Sequence, residues 1–221
     1  MEFATPAPGV LLTTMIRSPH LAHRSCAAGA ERGYTAIELL IVVAIMSVIA
    51  AMAIPFTSNT LELFRVGGDA RSIVNGVSLA KMRAASDFTD ARLYVDLAAR
   101  SYRVEKWQKT APQQWVLDGS ASSLSQNDNF GFGQAGAAPP NAVSPISEAP
   151  QCKDNSGNDL ANTACIVFNS RGLPVDNTGA PTSGDLYLTD GITTFGITTS
   201  GSGQTRLWKA GAGSAPNWVQ Q

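Results

Sequence analysis

Residues 30–56, AERGYTAIELLIVVAIMSVIAAMAIPF, contain an apolar run that is nearly long enough to cross a lipid bilayer. From Leu39 to Ile54 the run has one polar side chain, Ser47. A membrane-spanning helix needs about 20 consecutive apolar residues, and Tyr34 to Ile37 extend the run toward that length. The acidic residue Glu38 stands just before Leu39. The segment therefore predicts a helix that lipid or other subunits cover.

Three interpretations of this segment compete. An ordinary secretory signal would use Ala51-Met52-Ala53 as its small-x-small cleavage site, although the apolar region then lies far from Met1 and contains an acid. A plain membrane anchor leaves Glu38 unexplained, because an ionised carboxylate in lipid is costly unless it is paired. In the third interpretation a peptidase cuts after Gly33, and the new α-amino group of Tyr34 neutralises the Glu38 carboxylate of a neighbouring subunit.

The residue pattern at this place resembles the class III signal of type IV pilins and pseudopilins. In that family a basic leader ends in glycine, the next residue becomes N-methylated, and a glutamate occupies the fifth mature position. Gly33, Tyr34 and Glu38 stand at those places in this sequence. The resemblance implies a leader peptide over residues 1–33, methylation of Tyr34, and subunit registry through Glu38. The leader is long for the family, and Met15 is an alternative start.

The same resemblance implies a transmembrane and polymerisation helix over residues 34–55. A proline inside a helix removes one hydrogen bond and bends the rod, and in pilins a proline at the place of Pro55 lets the stalk curve. Alternatively, Pro55 marks the end of the membrane helix. An amphipathic helix is expected over 56–90, ending near Ser86, because apolar residues recur mostly at spacings of three or four. These residues are Leu61, Phe64, Ile73, Val77, Ala80 and Ala84.

Residues 91–221 predict a β-rich globular head. Alternating apolar and polar residues on both sides of Ala98-Ala99 indicate an antiparallel hairpin. The segments with strand patterns are 91–107, 114–118, 164–172 and 185–211, the last with a turn at Ser200–Gly203. A long N-terminal helix with a hydrophobic first half, packed on a small antiparallel β-sheet, predicts an α+β fold. The order of these elements resembles the GspH/FimT group of minor pilins and pseudopilins.

Residues 119–151 are dominated by Ser, Gly, Ala, Pro, Asn and Gln. Such a composition buries little apolar surface, so the segment predicts a flexible surface loop. A tolerated insertion and a contact loop are both consistent with it.

The distribution of histidine and cysteine excludes several kinds of site. Both histidines and Cys26 precede Gly33, so the processed chain keeps two cysteines, Cys152 and Cys165. This excludes Ser-His-Asp catalysis, Cys-His catalysis and histidine-ligated metal sites. In an oxidising compartment we expect Cys152 and Cys165 to form a disulfide, with free thiols as the alternative.

The loop between the two cysteines, from Asp154 to Asp159, is rich in oxygen ligands. Its spacing does not match an EF-hand, and a turn explains the same residues. No base stands beside the loop serines, and no phosphate-binding glycine motif occurs. We therefore expect no metal, no cofactor and no catalytic residue, and a protein that is not an enzyme.

Charge argues against a general nucleic-acid-binding role, because the formal net charge is −1. Some FimT-like proteins bind DNA during uptake through basic residues near the C-terminus, which makes Arg206, Trp208 and Lys209 candidate DNA contacts. The region that holds them, residues 110–221, has 4 basic and 8 acidic residues. The early hairpin is more basic, and alternation predicts that several of its cations reach solvent: Arg92, Arg100, Arg103, Lys106 and Lys109.

Taken with the two resemblances, these observations predict a minor pilin or minor pseudopilin. Such a protein is a structural subunit of a type IV pilus or a type II secretion pseudopilus. The resemblance implies a single-pass protein of the bacterial inner membrane with a periplasmic head, which later joins a filament. Its implied partners are other pilins, the prepilin peptidase, an inner-membrane assembly platform and a cytoplasmic ATPase. The alternatives are a DNA-binding minor pilin for natural transformation and a membrane-anchored or secreted β-domain hydrolase.

Overall fold

The structure, a computed structural model, describes residues 33–211, 213 and 215–221, with no account of the side chains of residues 54–60. The predicted leader before Gly33 and the alternative start at Met15 lie outside the described residues. The chain divides into two compact units, Met1–Val48 and Ile49–Gln221.

The first element is a single helix, α1, from Ala36 to Ser86. Its end agrees with the predicted boundary near Ser86. The helix closes where the amide of Thr89 donates to the carbonyl of Ala84 at 3.2 Å and Phe88 adopts a positive φ of 49°. A residue in the left-handed region is the common way to terminate a helix.

The part of α1 in the second unit buries one face. Its fully buried residues recur at alternating spacings of four and three, as a helix packed on one side requires; they are Val66, Ala70, Ile73, Val77, Ala80 and Ala84. The predicted apolar stripe is therefore confirmed from Ile73 onward. It is wrong for Leu61 and Phe64, which are 49% and 72% exposed, because the buried face begins only at Val66.

The head consists of short antiparallel strands. Their bounds are β1 Ala91–Asp96, β2 Ser101–Gln108, β3 Gln114–Leu117, β4 Ser122–Ser123, β5 Asn129–Phe130, β6 Thr163–Phe168, β7 Pro174–Val175, β8 Gly184–Thr189, β9 Thr193–Thr199, β10 Thr205–Gly211 and β11 Val219–Gln220. The predicted hairpin around Ala98-Ala99 is β1 and β2, paired with Arg92 opposite Glu105.

The strands form two sheets. The first has the order β3-β2-β1-β6-β7, with β4 also paired to β2, and the second has the order β11-β10-β9-β8-β5. The core contains the buried face of α1 together with Leu93 of β1, Phe168 of β6, Leu186 of β8 and Ile197 of β9. The α+β prediction, a long helix on an antiparallel β head, is confirmed, and the head has two sheets.

Residues 119–151 contribute more structure than their composition indicated. They include β4 and β5, and Leu124 and Phe130 pack against the core. Ala149 is buried, and its amide donates to the Asp185 carbonyl of β8 at 2.6 Å. Scattered apolar residues in a polar sequence therefore fix this segment to the head at several points. The flexibility of the segment stays a prediction.

Candidate assembly site

The start of α1 is closed by a reciprocal pair of hydrogen bonds. The Thr35 hydroxyl accepts from the Glu38 amide at 3.3 Å, and the Glu38 carboxylate accepts from the Thr35 amide at 3.4 Å. This arrangement is a capping box, which satisfies backbone donors that have no partner in the first turn of a helix. Sequence reasoning missed it, although T-x-x-E before an apolar run is its usual signature. Glu38 therefore has a partner within its own chain.

Gly33 and Tyr34 precede this capping box, and the described fold constrains neither residue. Tyr34 is 84% exposed. A Cβ atom added to Gly33 would meet no other described residue within 4 Å, and the φ angle of Gly33 is not in the left-handed region. The described fold thus places no demand for glycine at position 33. Any requirement for glycine there would come from recognition by another molecule.

The apolar run has no cover among the residues that the structure describes. The segment Ala36–Ala53 has a mean hydropathy of 2.6, and none of it is buried. By length and composition it is able to cross a membrane. Its polar side chain Ser47 is satisfied, because the hydroxyl donates to the Val43 carbonyl at 2.7 Å. A surface this apolar needs lipid or partner helices around it.

Helix α1 continues through Pro55 without an interruption in its bounds. The candidate membrane span itself stops at Ala53, two residues before the proline, and the alternative that the membrane-spanning part ends at Pro55 stays a prediction. The role of Pro55 in curving a stalk stays a prediction.

The two cysteines of the head form a disulfide, as predicted. The Cα atoms of Cys152 and Cys165 are 4.9 Å apart, and both residues are buried. They pack with Tyr94 in a small cluster on the outer face of the first sheet, with Leu160 beside them. The disulfide therefore fastens the loop 152–165 across a face that the main core does not cover.

The oxygen-rich part of that loop is a turn closed on itself. Asp154 Oδ1 accepts from the amides of Ser156 and Asn158, both at 2.8 Å, and Oδ2 accepts from the Asn158 side chain at 3.1 Å. The bond from the Asn158 side chain contributes most to lowering the pKa of Asp154. Lys153 pairs with Asp159 at 2.7 Å. Among residues 33–211, 213 and 215–221, no group of three or more His, Cys, Asp or Glu side chains is placed to hold a metal ion.

The basic early hairpin holds a buried ion-pair cluster. Arg92 is 4% exposed and lies 2.6 Å from Glu105 Oε2, while Arg103 Nε lies 2.6 Å from Glu105 Oε1. The Arg92 guanidinium also covers the Trp115 ring at 4.0 Å and donates to the Lys153 carbonyl. The prediction of solvent-facing cations is wrong for Arg92, because the disulfide loop covers this face. Arg100 and Lys109 are exposed, as predicted.

The candidate DNA contacts of the last hairpin do not form an open stacking surface. Trp208 is 6% exposed, and its indole donates to Thr198 Oγ1 at 3.0 Å. A base has no access to a ring in that position. Arg206 donates to the Gln204 side chain at 3.1 Å, and Lys209 is half-buried. The alternation along β10 puts Arg206 on the same face as the buried Trp208 and Lys209 on the opposite face, so the two cations do not share a face.

Comparison with solved structures finds a minor pseudopilin and a minor pilin. The minor pseudopilin EpsH of the type 2 secretion system of Vibrio cholerae matches at 14% identity and a TM-score of 0.41, over 65% of this chain and 95% of that one. The type IV minor pilin FimU of Pseudomonas aeruginosa PAO1 matches at 10% identity and a TM-score of 0.41, over 66% and 90% of the two chains. Scores this low carry no functional assignment by themselves. No protein-family model and no curated protein sequence matches the chain.

Proposed function

We propose that the chain is a minor pilin or minor pseudopilin, a non-enzymatic subunit that a prepilin peptidase cuts after Gly33 and that assembles through α1. The observation that carries the proposal is the exposed apolar segment Ala36–Ala53, which begins shortly after the Gly33-Tyr34 pair and contains Glu38 in its first turn. The run requires an apolar surrounding, which an inner membrane supplies before assembly and other pilins supply afterwards. The head would then lie on the periplasmic side.

The role of Glu38 follows from the charge that processing creates. Cleavage after Gly33 would leave a positive α-amino group on Tyr34, and this group would offset the carboxylate of a neighbouring subunit in an apolar filament core. The capping box offers a competing role, in which Glu38 only stabilises the start of its own helix. A useful experiment must therefore separate the charge of Glu38 from its hydrogen bond.

Glutamine separates the two roles, because it accepts the capping hydrogen bond but carries no charge. We expect the Glu38→Gln variant to be processed normally, yet to enter filaments or cross-linked pilin complexes at least about tenfold less, the loss that roughly 1.4 kcal/mol of pairing would give. Thr35→Ala is the matched control, because it removes the hydroxyl that accepts from the Glu38 amide and keeps both the charge of Glu38 and its bond to the backbone amide of residue 35. We expect that variant to assemble nearly as well as the wild type.

Processing is measured by mass spectrometry of the mature N-terminus, and assembly by cysteine cross-linking to other pilins in the native membrane. A mature N-terminus at Ile54 would indicate ordinary signal cleavage and contradict the proposal. Normal assembly of Glu38→Gln would contradict the charge role and would assign Glu38 to capping alone. No observation on the head favours the DNA-binding or hydrolase alternatives over this function.

A further inference from the structure

Residues 119–149, here called the strap, cross the head. Two of their attachments use carboxylates that accept from strap amides. Near its first end, β4 pairs with β2 and the Ser125 amide donates to the Asp69 carboxylate of α1 at 2.5 Å. Near its last end, the Val143 amide donates to the Asp185 carboxylate of β8 at 2.7 Å. Between these points β5 pairs with the edge of β8.

The first attachment contains two acids that face each other. Asp128 of the strap is 2% exposed, and its carboxyl group lies within hydrogen-bonding reach of the Asp69 carboxyl group. Asp190 of the β8–β9 turn adds negative charge, and Arg65 of α1 is the facing cation. Burial, followed by the contact with Asp69, raises the pKa of Asp128 to about 7. Asp128 Oδ2 has no hydrogen-bond partner.

The second attachment contains three buried oxygen atoms without partners. They are Glu148 Oε1 of the strap, Asp185 Oδ1 and the Tyr187 hydroxyl, the last two on β8. Glu148 Oε2 accepts from the Tyr187 amide at 3.2 Å. The titratable groups that face Glu148 are Asp185 and Tyr187. Burial raises the pKa of Glu148 to about 8, and burial also raises the pKa of Asp185.

Both attachments suit neutral acids better than ionised ones. A buried carboxylate without a full set of donors is costly, and two carboxylates in contact need a shared proton. We propose that the strap is a pH-dependent cover of the head, which is docked while Asp128 and Glu148 carry protons and lifts from β8 when they ionise. Lifting would remove β5 from the outer edge of β8, and would separate Phe132 from the Tyr187 ring, which lies 5.2 Å away. An unpaired strand edge is a ready site for pairing with another strand.

The direction of the pH effect follows from proton linkage. The pKa values of Asp128 and Glu148 are higher in the docked state than the ordinary values of 3.8 and 4.5, so docking binds protons. Docking is therefore strongest below those ordinary values. It weakens as the pH rises toward about 7 for Asp128 and about 8 for Glu148. Each proton released changes the opening equilibrium by about tenfold per pH unit within its window.

The test is hydrogen exchange of the full chain in detergent micelles, measured at about pH 5.5 and about pH 8.5 and corrected for intrinsic rates. The informative amides are Gly131, which donates to the Tyr187 carbonyl, together with Val143 and Ala149. We expect their protection to fall by at least about tenfold at the higher pH. Amides of β1 and β6, which pair with each other away from the strap, should keep their protection.

Variants that keep the acids neutral sharpen the test. We expect Asp128→Asn combined with Glu148→Gln to keep the strap protected at the higher pH and to flatten the pH dependence. Glu62→Gln, on an exposed position of α1, is the matched control and should behave as the wild type. Equal wild-type protection of the strap at both pH values would overturn the proposal, whether or not the double variant folds.

Discussion

Helix α1 begins in the first unit and continues in the second. Its apolar side chains are exposed in the first unit, whereas one apolar face is buried in the second. Up to Val48, every described side chain of α1 is exposed, although the sequence there is almost entirely apolar. Beyond Val66 the helix is more polar, yet one of its faces is completely buried by the head. Among the described residues none covers the first part, whereas the chain's own strands cover one face of the second. Apolar sequence alone does not say which of these covers a helix.

The charged residues of the two units also differ in how they are paired. In the first unit, the side chain of Glu38 makes a local capping bond to Thr35 among the described residues. In the head, Arg92 and Glu105 are paired within the chain and buried under the disulfide loop. The buried charges of this hairpin are thus paired within the head, while Glu38 lies at an exposed helix start.

The largest expected effect comes from breaking the buried charge pair of the head. We expect Glu105→Ala to lower the free energy of unfolding by about 3 to 5 kcal/mol, because it leaves Arg92 buried without its carboxylate. The measurement is urea unfolding of the oxidised full chain in micelles, followed by tryptophan fluorescence. Asp159→Ala, which removes an exposed partner of Lys153, should change it by less than about 1 kcal/mol. Similar effects of the two variants would contradict the internal pairing of the head.

A pair of isoleucines compares the two parts of the helix directly. We expect Ile73→Ala to cost about 2 to 5 kcal/mol of unfolding free energy, because it leaves a cavity in the core. Ile45→Ala removes the same atoms from a side chain that is 55% exposed, so the head should keep its stability. Both are measured by the same unfolding experiment. A large loss with Ile45→Ala would show that the head depends on the first part of the helix.

The disulfide is expected to have an effect of about 3 kcal/mol or somewhat less, since it closes a short loop. Replacing both Cys152 and Cys165 with serine should lower the melting temperature of the head and leave N-terminal processing unchanged. Differential scanning calorimetry, compared with mass spectrometry of the N-terminus, separates the two results. Defective processing in this variant would contradict the independence of the two units.

Much of the fold was predictable because it depends on local patterns. The helix boundary at Ser86, the β1–β2 hairpin, the turn at Ser200–Gly203 and the disulfide follow from spacing, turn residues and the number of cysteines. Even the pairing of Arg92 with Glu105 was implied, since a hairpin centred between Ala98 and Ala99 places them opposite each other. The capping box was also present as T-x-x-E.

The exposure of particular side chains was less predictable, because alternation identifies two faces of a strand but not what covers them. Alternation alone does not show that the disulfide loop covers Arg92. It also does not show that the ring of Trp208 faces the interior, where no base is able to stack on it. The attachments of the strap were the least predictable from sequence, since they combine single acids from distant parts of the chain: Asp69, Asp128, Glu148 and Asp185.

By itself, the amino-acid order indicated that a helix with an apolar first half would precede a β head, because a long apolar run that follows a glycine and an acid favours such a helix over a buried core segment. Only the tertiary structure decided which helical face is buried, which charges are neutralised inside the head, and where carboxyl groups meet away from water. Those outcomes depend on contacts between residues far apart in sequence, and no local pattern records such contacts.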